Sequence, residues 1–165
     1  ETNRPDLISI KLLVSDVDGV MTDGGLYYSR SGEELKKFNV KDGFVVKTLR
    51  DSGVKLCIIT GRESEIVQQR FSELKFDFIK QGSADKLKDL EEIAGSMGIS
   101  LKNVAYIGDD LNDLDLLQKV GLSACPADAM SALKDKVAYI CTKKGGEGAF
   151  REFADYILTN NRNAG

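Results

Sequence analysis

The chain has 165 residues, 42% hydrophobic and 30% charged with a formal net charge of -3, which is enough for one domain, 1–165, with a sizeable core. That charge gives no electrostatic reason for a nucleic-acid partner, no apolar run approaches the roughly 20 residues of a membrane span, and no signal-peptide pattern opens the chain, so a cytoplasmic protein is expected. With no histidine present, Ser-His-Asp, Cys-His and phosphohistidine chemistry are excluded, and proton transfer falls to carboxylates, Lys, Tyr or water.

Residues 1–8 are polar enough to be mobile, and Glu1 in place of Met is compatible with trimming or with excision from a longer polypeptide. The apolar run 11–15 reads as a strand ending at Asp16-Val17-Asp18-Gly19. Residues 24–28 and 35–39 flank Ser29-Arg30-Ser31-Gly32 and read as a hairpin. A helix near 42–51 and a strand at 55–59 follow, and the strand runs into Thr60-Gly61-Arg62. Helices near 63–74 and 85–97, strands at 78–79 and 104–107, and a helix near 111–119 continue the alternation. Strands at 122–124 and 137–140, a helix near 146–158 and a polar mobile tail 159–165 complete it. In the helix near 85–97, Leu87, Leu90, Ile93, Ala94 and Met97 recur at helical spacing, which marks a core face. Cys57, Cys125 and Cys141 lie in apolar surroundings and read as buried reduced thiols.

Alternation of strand and helix predicts a mostly parallel, Rossmann-like doubly wound sheet covered on both faces, with ligands bound beyond the carboxyl ends of the strands. Asp16, Thr60 and Asp109 each fall at or just past such an end, so residues distant in sequence converge on one rim. Residues two apart in an extended segment point the same way, which lets Asp16 attack phosphorus while Asp18 moves protons. Alone, Asp-Val-Asp-Gly is also what ends a strand in a turn. Thr60 suits a phosphoryl oxygen or a helix cap. Lys86 falls in a first helical turn, where a cation is unfavourable by roughly 0.3–1 kcal/mol unless an anion is near. Asp109, Asp110 and Asp113 crowd three carboxylates at one junction, which magnesium would explain, with Asp109 as the direct ligand and Asp110 and Asp113 binding it directly or through its ligands; acidic capping of a helix start is the alternative.

In this order the motifs resemble the haloacid dehalogenase (HAD) superfamily of phosphatases. The stretch from Asp16 to Gly24, Thr60-Gly61-Arg62, Gln81-Gly82 with Asp85-Lys86, and the stretch from Gly145 to Glu152 resemble its 3-deoxy-D-manno-octulosonate 8-phosphate (KDO 8-phosphate) branch. The resemblance implies a magnesium-dependent phosphatase with Asp16 as nucleophile, Asp18 as acid/base with its backbone carbonyl on the metal, Asp109 as metal ligand, and a homotetramer. The short spacings from Asp18 to Thr60 and from Thr60 to Lys86 leave room for a hairpin but no cap domain, so a neighbouring subunit is expected to help close the site.

For a phosphorylated sugar acid, Gly61 and Arg62 are candidate substrate contacts, Arg62 by forked pairing with the carboxylate. Lys75 and Arg151 are further candidates. Lys75 stands where the octulosonate branch usually has Gly, and residues 120–123 and 126–129 also resemble nine-carbon (nonulosonate) 9-phosphate phosphatases and the phosphatase-like domain fused to some CMP-sialate synthetases. Those resemblances supply two alternatives, a nonulosonate 9-phosphate as substrate and a non-catalytic oligomerisation module. Lys143, Lys144 and Arg151 around the glycine turn 145–148 are placed either in a neighbour's active site or at the start of the last helix.

Overall fold

Strand residues of opposite parity feed two separate cores, and this alternation organises the computed structural model, which describes residues 8–164. Leu12 and Val14 of β1 (Leu12–Ser15) pack on one face of the sheet, while Leu13 packs on the other. A hairpin of β2 (Tyr27–Ser29) and β3 (Gly32–Leu35) follows, then α1 (Val40–Asp51) and β4 (Lys55–Ile59). The chain continues through α2 (Glu65–Glu73), β5 (Phe78–Lys80), α3 (Lys86–Met97) and β6 (Val104–Ile107). It ends with α4 (Leu114–Lys119), β7 (Leu122–Cys125), α5 (Ser131–Lys134), β8 (Tyr139–Ile140) and α6 (Ala149–Ala164).

The main sheet is parallel throughout, in the order β5-β4-β1-β6-β7-β8. From β1 the connections run outward in both directions, so the carboxyl end of β1, between β4 and β6, is the switch point at which such sheets bind ligands. Helices α1, α2 and α6 bury Val45, Leu49, Val67, Phe71, Phe150 and Phe153 against one face. Helices α3, α4 and α5 bury Leu90, Leu116 and Leu133 against the other, with Leu87, Ile93 and Met97 packed alongside as the helical spacing predicted. Phe71 is fully buried and meets Phe76 edge-on at 4.8 Å between ring centroids; truncating such a residue to Ala costs about 3–5 kcal/mol. The fold is the expected doubly wound parallel sheet, with the β2–β3 hairpin as its insertion and no cap domain among the described residues.

Local differences from the sequence reading have local causes. The last helix starts at Ala149, because Gly146 and Gly148 take positive φ of 74° and 107° and keep the preceding turn out of it. Stretch 159–164, expected to be mobile, continues α6 instead: Asn160 and Asn161 donate to the Ile8 and Ile10 carbonyls, and Ile10 N–H returns a bond to Asn161 Oδ1. Residues 1–7 and 165 lie outside the described residues. The helix expected near 111–119 opens with a 3-10 turn, Leu111–Asp113, and α5 had no sequence signal of its own. All three cysteines are buried free thiols, and no described helix is long and apolar enough to cross a membrane.

Candidate active site

The loop leaving β1 carries both aspartates of the first motif. Asp16 N–H donates to the Ile107 carbonyl at 3.1 Å, extending the ladder one residue past the strand, and Val17 N–H donates to Asp16 Oδ1 at 2.8 Å. The chain then coils on itself, with Val20 and Met21 N–H groups donating to the Val17 carbonyl. Thr22 Oγ1 accepts from Gly19 and Gly24 N–H, at 3.3 and 3.2 Å, and pins the loop across its base. Gly19 is required twice: its φ is 85°, and a Cβ there would stand 1.8 Å from Asp109 Oδ2.

Beside this loop, Thr60 directly follows β4 and is buried, its carbonyl accepting from Ser83 N–H. Asp85 caps α3 by accepting from Lys88 N–H, and Lys86 occupies the first turn. The Lys86 ammonium lies 2.8 Å from Asp113 Oδ1 and 3.4 Å from Asp16 Oδ1, two anions that answer the unfavourable helix end. Tyr106 of β6 donates its hydroxyl to the same Asp113 oxygen at 2.6 Å. Asp113 is wholly buried, and its Oδ2 has no hydrogen-bond partner. Asp110 is exposed and caps the 3-10 turn.

Asp16, Asp18, Thr60, Gly61, Arg62, Lys86 and Asp109 therefore line one open cleft of about 260 Å³ at the carboxyl end of β1. Its charge balance is strained. Burial, followed by repulsion from Asp113, pushes Asp16 up to about 6 against the pull of Lys86. Burial and then the Asp16, Asp113 and Asp110 charges push Asp109 up to about 7. Burial works against the Lys86 ammonium, but Asp16 and Asp113 outweigh it and hold its pKa above the ordinary lysine value. Asp16, Asp109 and Asp113 each offer an oxygen within 4.8 Å of the others. Hard oxygen donors that repel one another, with a partnerless buried oxygen among them, fit a divalent cation such as magnesium.

Two candidate substrate contacts lie elsewhere in the chain. Lys75 follows α2 at the amino-terminal edge of the sheet, away from this rim. Its φ of 57° places it in the left-handed position that ends a helix, where Gly is the usual occupant, and its carbonyl accepts from Arg50. Residue 75 does not line the cleft of its own chain, and its backbone conformation is one that favours Gly. Arg151 sits on α6, with its backbone N–H on Asp42 Oδ1, its guanidinium on Asp155 and its charge over the Phe44 ring. The glycine turn before it packs on its own chain: Gly146 N–H donates to the Val20 carbonyl, and a Cβ on Gly145 would stand 1.8 Å from the Gly19 carbonyl oxygen.

Three further residues serve the site. Thr22 and Tyr106 brace it as described, and Lys36, just past β3, reaches Asp18 Oδ1 at 2.7 Å. Thr22 belongs to the motif quoted from the sequence, whereas Tyr106 reads there only as a strand residue and Lys36 only as a hairpin residue.

Residues 76–153 match the model of the haloacid dehalogenase-like hydrolases. The chain is 44% identical over 150 residues to the 3-deoxy-D-manno-octulosonate 8-phosphate phosphatase KdsC of Yersinia pestis, covering 91% of this chain and 80% of the relative. The chain belongs to the haloacid dehalogenase-like hydrolases, in this phosphatase branch. Against the KdsC of Escherichia coli K12 the hydrolase is 41% identical over the same shares. The Moraxella catarrhalis 3-deoxy-D-manno-octulosonate 8-phosphate phosphatase, solved with magnesium, phosphate and KDO, superposes with a TM-score of 0.91 at 40% identity, covering 96% of this chain and 91% of that one.

Proposed function

We propose that this hydrolase removes the phosphate from 3-deoxy-D-manno-octulosonate 8-phosphate by a magnesium-dependent double displacement through Asp16. The observation that carries this is the convergence of Asp16, Asp18, Thr60, Lys86 and Asp109 on one cleft, in a chain whose relatives bear that name. Lys86 and Thr60 receive phosphoryl oxygens, and the ammonium also keeps Asp16 aligned and ionised. A carboxylate oxygen of Asp16 attacks phosphorus, the bond from phosphorus to the sugar oxygen breaks, and Asp18 gives that oxygen a proton. Water then attacks the same phosphorus, returns a proton to Asp18 and displaces Asp16 as inorganic phosphate leaves. Asp16 and Asp109, with the Asp18 backbone carbonyl, would hold magnesium, which when bound neutralises phosphoryl charge and orients the group for in-line attack. Asp113 holds Lys86 through Oδ1 and leaves its partnerless Oδ2 as a further oxygen beside the cation, and Asp110 caps the turn.

Arg62 lines the outer cleft and is the candidate partner for the substrate carboxylate. Lys75 does not line the cleft of its own chain, and a nine-carbon substrate draws no support from it there. A homotetramer is part of the proposal, with neighbours covering the open cleft. Its support is the apolar exposure of the hairpin, where Leu26, Tyr27, Tyr28 and Leu35 face solvent. Phosphate release from the purified chain with magnesium tests the substrate across eight- and nine-carbon sugar acid phosphates. The octulosonate ester should have the highest kcat/KM; preference for a nine-carbon ester would overturn the assignment.

A further inference from the structure

Lys36 follows directly on β3, in a hairpin whose other large side chains are turned outward, with Tyr28 67% and Leu35 65% exposed. Its own side chain is only 2% exposed and carries the ammonium inward to 2.7 Å from Asp18 Oδ1. A lysine on such an appendage ordinarily buries its stem and leaves its charge in water. Here the charge is taken out of water, at a cost that only a well-formed ion pair offsets. Asp18 stands in the loop beyond β1 with its carboxylate 24% exposed, and its second oxygen lies 3.9 Å from Arg62 Nε, across the cleft they share. Lys36 thus takes one oxygen and leaves the other directed to the cleft.

We propose that Lys36 is a positioning residue for Asp18: it fixes the carboxylate in the orientation from which Oδ2 exchanges protons with the sugar oxygen and with water. This rests on the reading of Asp18 as the acid/base. It also gives the hairpin a mechanical route to the chemistry, since whatever seats the hairpin seats Lys36.

The test compares the wild type, Asp18→Asn, Lys36→Met and Lys36→Arg with magnesium, on p-nitrophenyl phosphate and on the sugar acid phosphate. A nitrophenolate leaves without a proton, so phosphorylation of Asp16 survives loss of the acid while hydrolysis of the phosphoenzyme still needs the base. Asp18→Asn should give a stoichiometric burst of nitrophenolate, then slow turnover, and almost no turnover of the sugar ester. Lys36→Met should show the same burst, with steady-state rates lowered on the order of 10²-fold and KM for p-nitrophenyl phosphate falling along with kcat because dephosphorylation limits turnover, and Lys36→Arg should recover part of the loss. Burst amplitude falling in step with the steady rate would mean lost folded sites and would overturn the positioning role, as would wild-type kinetics in Lys36→Met. Full turnover by Asp18→Asn would overturn the acid/base reading itself, a result distinct from either.

Discussion

Replacing Gly19 by Ala perturbs the cleft at the point where its two acidic loops touch. The added Cβ would stand 1.8 Å from Asp109 Oδ2 and 2.6 Å from its Cγ, against the 3.4–4 Å of ordinary contact. The Asp109 carboxylate must therefore withdraw by well over an ångström. Gly19 also has φ of 85°, so the methyl group adds about 1–2 kcal/mol of backbone strain. In a protein of this length that strain lowers Tm by roughly 2–8 °C. The larger effect falls on the metal: an ångström of misplacement can cost on the order of 10²-fold in rate. Titrating activity against magnesium should show a half-saturating concentration raised by about tenfold or more, with kcat reduced at saturation. Melting curves with and without magnesium should show a smaller metal-induced rise in Tm than in the wild type. Unchanged magnesium dependence in a folded Gly19→Ala protein would refute the assignment of Asp109 to the metal.

Lys75→Gly removes a side chain from a left-handed helix end and should raise stability by about 1 kcal/mol, or roughly 2–4 °C in Tm, with kcat and KM unchanged; altered selectivity among sugar acids would return Lys75 to substrate binding. Burial raises Asp42 to about 6 in the fold, outweighing its bond from the Arg151 N–H, so its ionisation is penalised only in the native state. Stability from this group is therefore full below about pH 4 and declines by roughly 2–3 kcal/mol as pH rises to about 6. Denaturation of Asp42→Asn across that range should lack this decline, and a pH-independent difference from wild type would contradict the reasoning. Arg62→Ala should raise KM for the sugar acid phosphate several-fold while leaving p-nitrophenyl phosphate little affected; equal losses on both would place Arg62 in the catalytic machinery.

The sheet and the rim were legible because each rests on a signal local in sequence. Leu12, Leu13 and Val14, and likewise Leu56 to Ile59, are apolar on both parities, as a strand buried on both faces requires. Asp16, Thr60 and Asp109 each follow such a run, and parallel topology alone brings them together. What was not legible depends on contacts between distant residues. Tyr106 serves Asp113 because its side chain points to the face that α4 covers, and Lys36 serves Asp18 because the hairpin folds back over the β1 loop. That position 75 is a left-handed helix end, where Gly is favoured, and stands away from the cleft of its own chain was not legible either, because φ and topology are not written in the residue type. Residues 159–164 misled because polar Asn side chains usually face solvent, whereas Asn160 and Asn161 bond the backbone of the chain's first described residues.

The central claim is that hydrolysis passes through a phosphoryl group on Asp16. Rapid acid quench of the magnesium-loaded chain during turnover of the sugar acid phosphate, followed by peptide mass mapping, tests it most directly. Phosphorylation should appear on residue 16, form at least as fast as turnover and disappear when substrate is exhausted. Full turnover with no phosphorylated protein at any time, or with the phosphoryl group on another carboxylate, would contradict the account.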